Sequence, residues 1–164
     1  MKAKDITLAG LMVALSIIIL YLTNIIPVNT FALLTIASVI IPITILRTNI
    51  KTAIFVYITT SLIGFFIVPI NYFIMYFIFF GIYGIVKYFI ERLRKQPLEI
   101  VLKYIFFNII LVIATAILKS LIGNFDVKIP IWEVLILAEV AFYIFDYALT
   151  VLISFYIQKF EKIH

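Results

Sequence analysis

Cysteine is absent from this sequence of 164 residues, and histidine occurs once, at His164. The first absence excludes disulfides, thiolate metal sites and cysteine nucleophiles. The second leaves no imidazole cluster for a metal or a triad, so only carboxylates could build a metal site. Charge is scarce too: Asp, Glu, Lys and Arg make up 13% of the chain, about half the share of roughly 25% in soluble domains. No stretch alternates polar and apolar residues with period two, which argues against a transmembrane β-barrel. Phosphate loops, nucleophile elbows, His-based metal motifs and the paired acids of aspartate-rich lipid synthases are all missing. The reading is therefore a non-enzymatic chain with no catalytic residues, no cofactor and no metal.

What the chain has in excess is hydrocarbon. Hydrophobic residues make up 66% of it, against about 45–50% in soluble domains. The few polar groups cannot cover such a core with a wettable surface, so lipid must solvate much of the exterior. A membrane-crossing helix needs about 20 mainly apolar residues, and six stretches qualify: Ile6 to Ile26, Thr30 to Leu46, Thr52 to Val68, Asn71 to Ile90, Leu98 to Ile122 and Ile131 to Ile157. Pro27 and Pro69 stop the first and third, and Pro42 is expected to kink the second. The first stretch is too long for a cleavable signal peptide and lacks a small-residue cleavage site. The expected fold is all-α: a polytopic six-helix membrane bundle forming a single domain over residues 1–164.

Lys and Arg give an orientation. With the N-terminus inside, the inner segments hold Lys2, Lys4, Arg47, Lys51, Lys87, Arg92, Arg94, Lys95, Lys103, Lys159 and Lys162, and the outer ones only Lys119 and Lys128. Eleven against two makes both termini cytoplasmic. The basic excess then serves topology and attraction to anionic lipid. Nucleic-acid binding would need a soluble basic face, which the chain lacks.

Ionisable groups within a membrane span are costly and are functional candidates. Glu139 and Asp146 lie seven apart in the sixth span, hence on one helix face, with Tyr143 between them and Trp132 at the outer interface. Glu139 lies about 12 Å deep at 1.5 Å per residue. In the fifth span Lys119 lies at a depth comparable to Glu139, where it pairs with that acid or snorkels to the headgroups, and Asn108 lies lower on the same helix. In the fourth, Tyr72, Tyr76, Phe80, Tyr83 and Lys87 form one stripe, in which Lys87 is expected to snorkel to the headgroups. The plain alternative is that the acids lock the bundle and the tyrosines pack the core. The functional reading is a pocket for a small ligand, drawn from Glu139, Tyr143, Asp146, Lys119, Asn108, Tyr76, Tyr83 and Trp132. In the first span, Gly10 and Ala14 form a small-xxx-small pair that lets another helix approach closely.

The opening Lys4-Asp5-Ile6-Thr7-Leu8-Ala9-Gly10-Leu11-Met12-Val13-Ala14-Leu15-Ser16 resembles the first helix of the substrate-binding (S) subunits of energy-coupling factor (ECF) transporters. The run from Asn71 to Lys87 is similar to a group of uncharacterised clostridial S-like membrane proteins. The likeness implies a six-helix protein of the bacterial plasma membrane, with helices four to six and the outer loops building a pocket for a small micronutrient. It also implies that Gly10 and Ala14 meet a transmembrane coupling subunit carrying an ATPase pair. The Asn24–Asn29 connection is shorter than the family's usual pocket lid, and no signature points to thiamine, riboflavin, biotin or folate. A structural alternative is a scaffold of the MreD-like cell-shape type, similar in length and helical make-up. The Gly- and Asp-rich mid-chain stretch usual there is missing between Gly64 and Gly84.

Overall fold

A computed structural model describes the backbone of residues 3–122 and 131–160, with all their side chains except those at 27, 118–122, 131 and 160. Six helices carry it: α1 (Ala3–Ile25), α2 (Thr30–Arg47), α3 (Ile50–Ile67), α4 (Ile70–Glu91), α5 (Gln96–Ile122) and α6 (Ile131–Phe160). All six are long and apolar enough to cross a membrane, and the expected spans fall on them within a few residues at each end. No strand occurs among the described residues. Helices satisfy every backbone N–H and C=O internally, the condition for crossing hydrocarbon.

Local chemistry sets the breaks. Pro27 opens a short 3₁₀ turn, Pro27–Asn29, after α1. Asn49 caps α3 by accepting from the Thr52 backbone N–H at 3.0 Å, satisfying one orphan amide of the first turn. Val68 ends α3 in extended backbone (φ −100, ψ 141), as a residue before proline favours, and Pro69 stands at the N-cap position of α4. Between α4 and α5, Arg94 takes up a left-handed conformation, φ 53. Pro42 lies inside α2, which stays helical through it.

The chain forms two compact units, one of residues up to 89 together with those from 149 onward, the other of residues 90–148. The boundary falls inside α4 and α6. In the first unit, Ala9, Val13, Ile41, Ile45, Ala53 and Val56 form a core of α1, α2 and α3. α1 and α3 run parallel: Leu20 packs over Gly64, and Asn24 Nδ2 donates to the Ile67 carbonyl at 3.0 Å. Small residues where these helices meet let the backbones approach, as membrane helix pairs require. At Gly84 a Cβ would lie 2.7 Å from Pro42 Cδ, so this glycine sets how close α4 comes to α2.

Lys87 departs from the sequence expectation. It is 1% exposed, and Nζ donates to Thr150 Oγ1 at 2.8 Å. Snorkelling fails because Lys87 lies on the same face as the fully buried Tyr83, one turn along, and a hydroxyl on α6 is in reach. Arg47 ends α2 with its guanidinium over the Tyr156 ring and its Nε donating to the Tyr156 hydroxyl.

Candidate functional site

Within the second unit, α5 and α6 face each other through a ladder of long side chains. Lys103 meets Asp146, Phe107 stacks on Phe142 and Asn108 meets Glu139. As the position on α5 rises, its partner on α6 falls, so the helices are antiparallel in a defined register. At one end Lys103 Nζ lies 2.8 Å from Glu91 Oε1 and 3.0 Å from Asp146 Oδ2, one cation bridging two acids. In the middle, the Phe107 and Phe142 rings stack at 4.4 Å and 7°, with Tyr104 edge-on to Phe142 at 5.4 Å. This aromatic plug separates the triad from the second polar pair.

At that pair Asn108 Nδ2 donates to Glu139 Oε1 at 2.7 Å and to the Tyr104 carbonyl at 2.9 Å. Both amide protons are thereby used, which fixes the orientation of the Asn108 side chain. The other carboxyl oxygen, Glu139 Oε2, is buried and has no hydrogen-bond partner. An unsatisfied buried acceptor costs about 1–3 kcal/mol, more when charged. Such an oxygen is where a donor group of a ligand gains most.

The predicted site residues separate into groups. Glu139, Asn108 and Asp146 lie on the α5–α6 ladder, with Asn108 against Glu139 and Lys103 the cation beside Asp146. The Lys119 side chain lies outside the described residues. Tyr143 is 63% exposed, and Phe142 takes the place between the acids that was expected for it. The reason is angular. Phe142, Phe145 and Leu149 form the buried face of α6. Neighbouring helical residues lie about 100° apart, so Tyr143 points well away from that face while Glu139 and Asp146 sit at its edge. Trp132 is 62% exposed, as an interfacial residue would be.

Tyr76 and Tyr83 belong to the first unit, where both are buried, at 1% and 0% exposure. Tyr83 packs against Phe79 at 5.6 Å. Tyr76 opens a π-helical turn, Tyr76–Phe80, a local widening often found at functional sites. Its hydroxyl is buried. Gly10 and Ala14 are exposed on α1, and a Cβ at Gly10 would meet nothing within 4 Å. The small-xxx-small pair is thus turned away from α1's own neighbours, Ala9, Val13, Ser16 and Leu20 facing them instead.

Two residues of the ladder escaped the sequence reading. Lys103 counted as an inner-segment charge although it lies five residues inside the fifth span, and Glu91 lies just past the end of the fourth. A lysine within an apolar span was the available signal. Of the eleven inner cations, Lys87 and Lys103 are held by Thr150 and by the two acids, which leaves nine against two for orientation. No protein-family model matches the chain, and neither a curated protein nor a solved structure matches it.

Proposed function

We propose that this chain is a membrane-embedded substrate-capture subunit of the ECF type, in the bacterial plasma membrane with both termini cytoplasmic. The observation that carries the reading is Glu139: a carboxyl group inside a membrane span, oriented by Asn108 through one oxygen, with the other buried and unpartnered. A purely structural acid would be expected to saturate both oxygens, as the cost of burying polar groups demands. A ligand offering an N–H or O–H to Oε2 completes the set. Asp146 is better understood as structural, because it already shares Lys103 with Glu91.

The outward-facing Gly10 and Ala14 give the reading its second support. Capture without chemistry needs an energy source, and the chain carries no nucleotide-binding motif. On this reading an ATP-driven complex supplies the energy, with its transmembrane coupling subunit seated on the open stripe of α1. The test is affinity purification from the native host, scored by mass spectrometry of the co-eluting proteins. An ATPase pair and a membrane coupling protein are expected. Recovery of cell-wall elongation proteins instead would overturn the transport reading in favour of a scaffold.

A further inference from the structure

At the π-helical turn of α4 the backbone bonding changes register. The Gly81 amide donates to the Tyr76 carbonyl, five residues back. A regular α-helix would send it to the Phe77 carbonyl, four residues back. Phe77 thus loses its helical partner inside an apolar span, where an unsatisfied backbone group is costly. Tyr57 of α3 stands in for that partner: its hydroxyl donates to the Phe77 carbonyl at 2.7 Å. A tyrosine hydroxyl has one proton to give, so it serves one acceptor at a time.

Two features hold Tyr57 in place. Its ring lies parallel to that of Phe77, with centroids 6.1 Å apart and an angle of 12°. Gly81 leaves room for it: a Cβ there would lie 2.7 Å from the Tyr57 ring and 3.0 Å from the Tyr76 carbonyl. The residue whose amide is redirected is therefore also the one that admits the tyrosine. Ser61, one turn further along α3, lies beside the Tyr57 hydroxyl and offers it a second acceptor.

The two flanks of the turn are held unequally. Beyond it, Tyr83 is fully buried, Gly84 lies against Pro42, and Lys87 Nζ donates to Thr150 Oγ1 at 2.8 Å. Before it, the segment Ile70–Met75 has no buried residue. There Phe73 makes ring contacts, edge-on to Phe65 at 5.4 Å and parallel to Phe77 at 5.7 Å.

We propose that α4 carries a register switch worked by Tyr57. While the hydroxyl stays on the Phe77 carbonyl, the π turn is kept. When the hydroxyl turns to Ser61, the Gly81 amide returns to Phe77 and the turn closes to α. One residue of winding is restored. Because the far flank is pinned, Ile70–Met75 is the part that moves, by about 100° around the helix axis and about 1.5 Å along it. Ile74 then stands where Phe73 stood, and an aliphatic side chain replaces the ring against Phe65. The switch lies in the first unit and works independently of what Glu139 holds.

The absence of cysteine lets one introduced thiol carry a unique label. Ile70→Cys, at a position 53% exposed, takes a trifluoromethyl tag, and fluorine NMR is recorded on the full chain in detergent. One dominant resonance is expected with Tyr57 present. Tyr57→Phe keeps the ring and removes the hydroxyl, and should raise a second resonance at least fivefold. Deleting Ile78 takes out the extra residue of the turn, so α4 becomes regular with both flanks where they are. The tag should then give one resonance whether position 57 is Tyr or Phe. A tag on Leu11→Cys of α1, 66% exposed, should be unaffected throughout. An unchanged spectrum in Tyr57→Phe overturns the proposal. So does a second resonance that survives the deletion, or one that the Leu11→Cys tag shows as well.

Discussion

Asn108 holds Glu139 by one oxygen only: Nδ2 to Oε1 is 2.7 Å, and Oε2 lies buried without a partner. The amide's other proton goes to the Tyr104 carbonyl, so Asn108 cannot swing round to serve Oε2 as well. The pair is therefore rigid and incomplete. Replacing Asn108 with Ala should lower stability by about 1 kcal/mol, the usual net worth of such a bond. It should weaken ligand retention by more than that loss explains, because the carboxyl group is no longer aimed. Thermal unfolding in detergent and ligand binding, measured on the same preparation, separate the two effects.

The triad behaves differently. Lys103 is shared by Glu91 and Asp146, with side-chain exposures of 11%, 38% and 21%. Removing the shared cation takes a partner from two acids at once, while Asp146→Asn removes one of the two acids and leaves Lys103 its bond to Glu91. Lys103→Met should thus destabilise by about 1–3 kcal/mol, less than the 3–5 kcal/mol of fully buried pairs because Glu91 is over a third exposed. Asp146→Asn should cost less than Lys103→Met, yet more than Glu139→Gln. The order of the three melting temperatures checks it.

Two glycines make opposite predictions. Gly84→Ala puts a Cβ 2.7 Å from Pro42 Cδ and should cost about 1–3 kcal/mol through overpacking. A Cβ at Gly10 would meet nothing within 4 Å, and Gly10→Leu should leave the melting temperature unchanged. In a pull-down, however, Gly10→Leu and Ala14→Leu should both lose the coupling subunit. Normal complex formation by both would remove the α1 interface.

Orientation is checked with reporter fusions after Lys95 and at the C-terminus. Both should read cytoplasmic, from the nine-to-two excess of inner cations left once Lys87 and Lys103 are set aside. An outside signal at either position contradicts it.

The helices were legible in the sequence because their limits have local causes: apolar length, Pro27 and Pro69 at the breaks, and the Asn49 cap. The pairing of Asn108 with Glu139 was not, because depth along the span pointed to Lys119 as the partner of Glu139 and placed Asn108 lower. Nor was Lys103 beside Asp146, because that contact depends on how α5 and α6 are registered, and Lys103 counted only among the inner-segment charges. Tyr143 was misplaced for a related reason. A spacing of seven puts two residues on one face, but it does not say whether the face is centred on them or, as here, on Phe142 and Leu149 beside them. Lys87 looked like a snorkelling end residue because nothing local announces Thr150, which lies 63 positions away.

The most direct measurement is mass spectrometry of the small molecules released from the purified parent protein and from Glu139→Gln, prepared in the same detergent. The account predicts a compound bearing an N–H or O–H donor at near-stoichiometric amount from the parent, and at least tenfold less from the variant. Both proteins should unfold at nearly the same temperature. Equal amounts of the same compound from both, or a variant whose sole defect is its melting temperature, would contradict the account.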